Sequence, residues 1–208
     1  MPNGHFACDK IAHAVMKYDN NPSYHNDEVA LQSALATTQA SPPSRTRVFA
    51  EVFLVAEWGS IPTKGFGFDR RIHVAGVIAD NWDRLNETRV PCLADWLNSS
   101  QTMCDAINAL VRIFPAPPCG QLSFMSKFLH WCRRDTFPIW DSRARRALGQ
   151  QAEPPRTWDT YNCWSERIRA ELAHHQNHLP AECCVAGPHP DGIRILDKAL
   201  FIFGGNDP

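Results

Sequence analysis

The feature that most constrains the fold is the spacing of apolar residues, which follows the period of an α-helix along most of the 208-residue chain. In the segment after Ser99 and Ser100, for example, Met103, Ile107 and Leu110 lie three or four positions apart and share one helical face. The strict alternation typical of half-buried strands is weak everywhere. The sequence therefore predicts an all-α fold.

Several segments carry helix signals of their own. Asn26 precedes Asp27 and Glu28 and is a candidate N-cap, and the segment 46–58 is apolar nearly all round. That segment fits either a buried helix or a buried strand, and its length favours the helix. The prolines from Pro115 to Pro118 end the helix before them. Further helices are predicted over 69–85, 121–133, 141–148, 157–178 and from 191 to about 202.

Length and hydropathy narrow the class of protein. We predict one compact helical domain over residues 1–208, either undivided or with two lobes, with a candidate active-site segment at 115–149. No apolar run approaches the roughly 20 residues of a membrane span, and the first residues do not resemble a secretory signal. We therefore expect a cytoplasmic protein that does not enter a membrane, with its eight cysteines reduced.

The charge of the chain is unevenly distributed. The formal net charge is −1, but residues 127–146 hold six basic and two acidic side chains and so carry +4. A local basic surface on a weakly acidic chain is typical of a protein that touches a nucleic acid through one face.

The same stretch holds the residues with the most chemical interest. A turn at Cys119–Gly120 leads into a predicted helix that carries Ser126 and Lys127, and Asp141 follows a proline-containing loop at the start of the next helix. That helix ends at Gly149, in the position where glycine commonly terminates helices.

The segment from Pro138 to Gly149, Pro-Ile-Trp-Asp-Ser-Arg-Ala-Arg-Arg-Ala-Leu-Gly, resembles the Pro-Val-Asp-Thr-His-Val-x-Arg-x-x-x-Arg-Leu-Gly signature of helix-hairpin-helix DNA glycosylases. Asp141 matches the catalytic aspartate of that family, and Lys127 is the candidate for the lysine of its bifunctional members. The likeness covers about thirty residues. The turn before the lysine has a single glycine, the lysine-to-aspartate spacing is about four residues shorter than usual, and no four-cysteine iron–sulfur loop follows.

The resemblance implies a two-lobed helical fold that flips a nucleotide from double-stranded DNA and cleaves its N-glycosidic bond. The base would be damaged or modified, with modified cytosine in phage DNA as one possibility, and the enzyme a monomer without cofactor or metal. The residues expected to contact DNA are Ser126, Arg133, Arg134, Arg143, Arg145, Arg146 and Lys64. Those expected to line the base pocket are His130, Trp131, Phe137 and Trp140.

Elementary chemistry supports these roles for the acid and the amine. Departure of a base leaves positive charge on the sugar, which a facing carboxylate stabilises, and the same carboxylate can activate the attacking water or amine. A lysine attacks the sugar only where burial or neighbouring cations lower its pKa. Five arginines in the basic stretch supply phosphate contacts, which position a duplex without identifying its sequence.

Other functions fit the same residues. Asp141 is also a good N-cap and Lys127 an ordinary surface lysine, in which case the protein is a non-enzymatic helical module that binds DNA or another protein. A third possibility is a small zinc protein, because His174 and His178 are four residues apart and Cys183 and Cys184 follow them.

Overall fold

The computed structural model describes residues 6–40, 44–58, 66–87, 93–132, 137–150, 152–175 and 192–205, and within these ranges it contains helices and no strands. The all-α prediction is confirmed. The helices are α1 (Cys8–Asp19), α2 (Pro22–Gln39), α3 (Arg45–Trp58), α4 (Phe68–Asp80), α5 (Trp82–Glu87), α6 (Leu93–Asn98), α7 (Ser100–Ile113), α8 (Leu122–Cys132), α9 (Ser142–Ala147), α10 (Trp158–His175) and α11 (Gly192–Phe203).

Two expected helix boundaries were wrong. Helix α2 begins at Pro22 and not after Asn26, because the Asn21 side chain accepts hydrogen bonds from the backbone N–H groups of Ser23 (3.0 Å) and Tyr24 (3.4 Å). The helix predicted over 69–85 is interrupted at Asn81, which separates α4 from α5. The apolar segment 46–58 is helical as predicted, within α3. Helices α1 and α6 were not predicted.

The turn between α7 and α8 is rich in prolines, which cannot continue a helix. Helix α7 ends at Ile113, and a short 3₁₀ turn over Pro118–Gly120 reverses the chain. Two successive residues of this turn have positive φ, Cys119 at 53° and Gly120 at 66°. Because an L side chain rarely adopts such a backbone, Cys119 marks a strained position directly before the helix that carries Lys127.

Helix α8 lies at the centre of the fold. Eight of its eleven residues are buried, including Phe124, Met125 and Phe128, which have no exposed surface. It packs against α3, while α11 packs against α1 and α9, and α10 packs against α7. Buried apolar residues of these helices belong to one connected hydrophobic cluster, whose removal from water is the main driving force for the fold.

None of the described helices combines the length and the apolar character that a membrane span requires.

Candidate active site

Lys127 and Asp141 meet at the wall of a cavity. The Nζ atom of Lys127 lies 3.7 Å from Oδ2 of Asp141, and both side chains line a cavity of about 450 Å³. A cavity of that volume is within the range of small-molecule sites. The fold thus brings together the two residues that the sequence singled out as candidate catalytic groups.

Asp141 is held by the helix it begins. It is the N-cap of α9 with an extended backbone, and its Oδ1 accepts a hydrogen bond of 2.7 Å from the backbone N–H of Arg143. Its other oxygen, Oδ2, is the one nearest to Lys127. One oxygen therefore fixes the carboxylate, and the other is directed toward the lysine.

The loop before Asp141 is fixed residue by residue. Each of the four residues that the structure describes in this loop, 137 to 140, has one backbone group bound by a buried side chain of α8 or α10. The contacts are His130 Nδ1 with the carbonyl of Phe137 (2.9 Å), Tyr161 OH to the carbonyl of Pro138 (2.9 Å), Trp164 Nε1 to the carbonyl of Ile139 (3.2 Å), and the N–H of Trp140 to Oγ of Ser126 (2.9 Å). These bonds set the position of Asp141 relative to α8.

Lys127 is buried in α8, with only 8% of its side chain exposed. This burial lowers the pKa of Lys127, and the negative charges of Asp141 and Asp197 oppose the decrease. A lowered pKa increases the share of uncharged amine, which is the nucleophilic form.

Helix α11 supplies a wall of the cavity that the sequence did not predict. Arg194 donates two hydrogen bonds to Glu28, from Nε to Oε1 (3.1 Å) and from Nη2 to Oε2 (2.6 Å), and one to Tyr18 OH (2.9 Å). Its Nη1 contacts Asp197. Three aromatic rings surround the guanidinium at 5.3–5.5 Å, those of Tyr18, Trp58 and Trp131.

Asp197 is a second carboxylate of the cavity. Burial raises its pKa to about 6, against the positive charge of Arg194, and the negative charge of Asp141 raises it further. No sequence signal identified this residue, because an aspartate on a regular helix 56 positions from Asp141 matches no local motif.

The aromatic residues of the cavity differ from those predicted. The cavity is lined by Tyr18, Tyr24, Trp58 and Phe201, with the rings of Tyr18 and Tyr24 stacked at 5.2 Å. The expected pocket residues are not among its lining residues. They pack elsewhere: Phe137 and Trp140 in the core, His130 against the loop, and Trp131 against Trp58 and Arg194. These four residues do not line this cavity, and their place in a base pocket stays a prediction.

The predicted DNA contacts separate into three groups. Arg143 lines the cavity, and Arg146 is exposed. Arg145 is only 7% exposed, stacks on Trp140 and donates to the carbonyl of Ala152, so its contacts here are within the protein, and its contact with a phosphate stays a prediction. Ser126 is fully buried and makes its two hydrogen bonds within the protein, and its contact with DNA likewise stays a prediction. Lys64, Arg133 and Arg134 lie outside the described residues.

The contact between α9 and α11 depends on a glycine. A Cβ atom added at Gly204 would lie 1.7 Å from the carbonyl oxygen of Arg143. Only glycine permits this approach, which holds the end of α11 beside the start of α9 and therefore beside Asp141.

The zinc hypothesis is not tested by these residues. His178, Cys183 and Cys184 lie outside the described residues, and His174 is exposed at the end of α10. Within the described part of the chain, no three His, Cys, Asp or Glu side chains are arranged to hold a metal ion.

Comparisons with protein-family models, with curated proteins and with solved structures found no match to this chain. The arguments for its function are therefore the geometry and the chemistry of its own residues.

Proposed function

We propose that the protein is a DNA glycosylase that cleaves the N-glycosidic bond of a base flipped into the cavity beside Lys127 and Asp141. The observation that carries this proposal is the 3.7 Å approach of a buried lysine and a fixed carboxylate at the wall of a cavity. The resemblance of residues 138–149 to the helix-hairpin-helix signature supports the same function.

Asp141 stabilises the sugar in this mechanism. As the base departs, positive charge develops on the sugar ring, and a carboxylate already held at a helix N-terminus needs no rearrangement to face it. The same carboxylate accepts the proton of the attacking nucleophile.

The nucleophile is either water or the amine of Lys127. Burial favours the uncharged amine, which attacks the sugar carbon to give a covalent intermediate. If water attacks instead, Lys127 positions Asp141 through their charge interaction.

Asp197 protonates the departing base. Burial raises the pKa of Asp197 to about 6, so this carboxyl group keeps its proton to a higher pH than an ordinary aspartate, and it shares the cavity with Asp141. Two carboxyl groups in different environments can divide the acid and base roles. The electron pair of the broken C–N bond then remains on a base that leaves in neutral form.

The other lining residues suit a flat ring and its backbone. Tyr18, Tyr24 and Phe201 offer aromatic surfaces for stacking, which offsets part of the few kcal/mol that base flipping costs. Arg143 and Arg146 would hold the flanking phosphates. A damaged base and a modified cytosine of phage DNA are the two substrate classes to test.

The direct test uses duplex oligonucleotides that carry one oxidised, alkylated, deaminated or hydroxymethylated base, with an unmodified duplex for comparison. We expect release of the free base, measured by mass spectrometry, and an alkali-labile abasic site from at least one duplex. Asp141→Asn should reduce the release rate about 100-fold or more. Asp69→Asn, an exposed aspartate in the first turn of α4, is the matched control and should leave the rate unchanged.

Borohydride trapping separates the two nucleophiles. A covalent DNA adduct that disappears in Lys127→Gln but persists in Lys10→Gln, which alters an exposed lysine of α1, would identify Lys127 as the attacking amine. Salt-sensitive DNA binding without base release from any duplex would contradict the proposal and would support the non-enzymatic binding module.

A further inference from the structure

A second group of reactive side chains is formed by Cys8, His175 and Glu171, none of which lines the cavity. The Sγ atom of Cys8 lies 3.3 Å from Nδ1 of His175, and Nε2 of the same ring lies 3.9 Å from Oε2 of Glu171. The cysteine and the histidine are 167 positions apart, so only the tertiary structure joins them.

The three residues differ in their access to solvent. His175 is 1% exposed and Glu171 is also buried, whereas Cys8 is half-buried. Cys8 is therefore the residue of this cluster with the most exposed surface, while His175 and Glu171 are covered.

The helix ends add to this arrangement. Cys8 is the first residue of the twelve-residue α1, and His175 is the last residue of the eighteen-residue α10. A helix N-terminus favours negative charge and a helix C-terminus favours positive charge, so the two helix ends have the partial charges that complement a thiolate and an imidazolium. Glu171 adds a carboxyl group on the side of the other ring nitrogen.

A thiol, a base in contact with it and a carboxylate behind the base form the arrangement of an activated nucleophile. We propose that Cys8, His175 and Glu171 form a hydroperoxide-reactive thiol site, separate from the glycosylase function proposed above. A half-buried sulfur suits a small oxidant better than a bulky disulfide.

The reaction balances with a hydroperoxide as the only co-reactant. His175 takes the thiol proton, the sulfur attacks the terminal peroxide oxygen, an S–O bond forms and the O–O bond breaks. The leaving alkoxide, or hydroxide for hydrogen peroxide, takes the proton from the imidazole and departs as alcohol or water. Cys8 is oxidised to the sulfenic acid and the hydroperoxide is reduced.

The same chain offers a matched control in Cys104. That cysteine is also half-buried, but the side chains near its sulfur are the amides of Asn108 (3.6 Å) and Asn162 (3.9 Å). Hydrogen peroxide is added to the intact protein at neutral pH, sulfenic acid is captured with dimedone, and each cysteine is followed by peptide mass spectrometry. We expect Cys8 to react about tenfold faster than Cys104 or more. A rate at Cys8 equal to or below that of Cys104 would overturn the proposal without any variant.

Two variants test whether His175 and Glu171 make Cys8 reactive or whether its exposure to solvent is enough. His175→Asn should bring the rate at Cys8 down to that of Cys104, and Glu171→Gln should lower it several-fold. Thermal unfolding of both variants checks that the fold persists. An unchanged rate in a folded Glu171→Gln or His175→Asn protein would show that exposure alone sets the reactivity, which contradicts the proposal.

Discussion

Two pairs of a cation and a carboxylate lie at or beside the same cavity, and they differ in how closely the charges are joined. Arg194 and Glu28 form two hydrogen bonds of 2.6 and 3.1 Å, and aromatic rings cover the guanidinium. Lys127 and Asp141 approach to only 3.7 Å, which is longer than a direct hydrogen bond.

The difference distinguishes a pair that joins helices from the pair that we propose to be reactive. Besides its contact with Asp197 in its own helix, Arg194 donates hydrogen bonds to Tyr18 of α1 and to Glu28 of α2, which fixes α11 against both helices. Asp141 is held from the opposite side by α9, and its second oxygen and the lysine border the cavity. A looser contact between a buried lysine and a partly exposed carboxylate at the wall of a cavity is an arrangement that a substrate can enter.

The largest effect on stability is expected from breaking the close pair. Arg194→Leu removes the cation that contacts Asp197 and leaves Glu28 with the longer ion pair to Lys198 (3.7 Å), so we expect a loss of about 3–5 kcal/mol in the free energy of unfolding. Urea denaturation measures it. The control is Arg45→Leu, because Arg45 pairs with Asp80 at an exposed site where the side chains are 61% and 60% accessible. A change below about 1 kcal/mol is expected there, and equal losses in the two variants would contradict a structural role for Arg194.

Asp197 is the second carboxylate beside Arg194, and removing its charge should raise the free energy of unfolding at neutral pH. The pKa of Asp197 rises from 3.8 to about 6 on folding, so its contribution to stability is complete below pH 3.8 and is lost as the pH rises through 6. Asp197→Asn removes that loss, and the variant should exceed the native protein by up to about 3 kcal/mol at pH 7.5 and by little at pH 4.

Thermal unfolding between pH 4 and pH 7.5 tests the expectation for Asp197.

The pKa of Glu28 is lowered on folding, mainly by the positive charge of Arg194 acting against the effect of burial. Glu28→Gln should therefore destabilise at neutral pH and lose its effect as the pH falls below about 4.5. Parallel pH profiles for the two variants would show that Arg194 does not distinguish its two carboxylates.

An intermediate effect is expected from releasing the loop that carries Asp141. Ser126→Ala leaves the buried N–H of Trp140 without its acceptor and should cost about 1–3 kcal/mol. Ser165→Ala is the matched control, because that serine is equally buried and its hydrogen bond, to the carbonyl of Tyr161, stays within its own helix. A loss below about 1 kcal/mol is expected for the control. Equal losses would mean that the hydroxyl of Ser126 adds nothing to the loop.

The smallest change in stability is expected at the loose pair. Asn is as good an N-cap as Asp, so Asp141→Asn should alter the free energy of unfolding by about 0.5 kcal/mol or less, while Asp141→Ala should cost about 1 kcal/mol. Chemical denaturation of both variants gives the comparison. A large loss in the Asn variant would show that the charge of Asp141 holds the fold together, and the two pairs would then not differ in kind.

Much of the local structure was predictable because its causes are local. The period of apolar residues and the length of the run predicted α3, the prolines after Phe114 predicted the end of α7, and the glycine after Leu148 predicted the end of α9. The error at Asn26 has a local cause as well, because Asn21 before a proline forms the stronger start five residues earlier.

The sequence by itself determined that the chain is helical and that Lys127 and Asp141 are the residues of greatest chemical interest, since capping, periodicity and a short motif depend on neighbours in the chain. Only the tertiary structure decided which residues surround them. Asp197 and Phe201 reach the cavity because Gly204 lets α11 approach α9. Ser126 and Arg145 face inward, where Ser126 accepts a hydrogen bond from the backbone N–H of Trp140 and Arg145 stacks on the Trp140 ring. Contacts between residues far apart in the chain depend on how helices pack, and no local pattern records that packing.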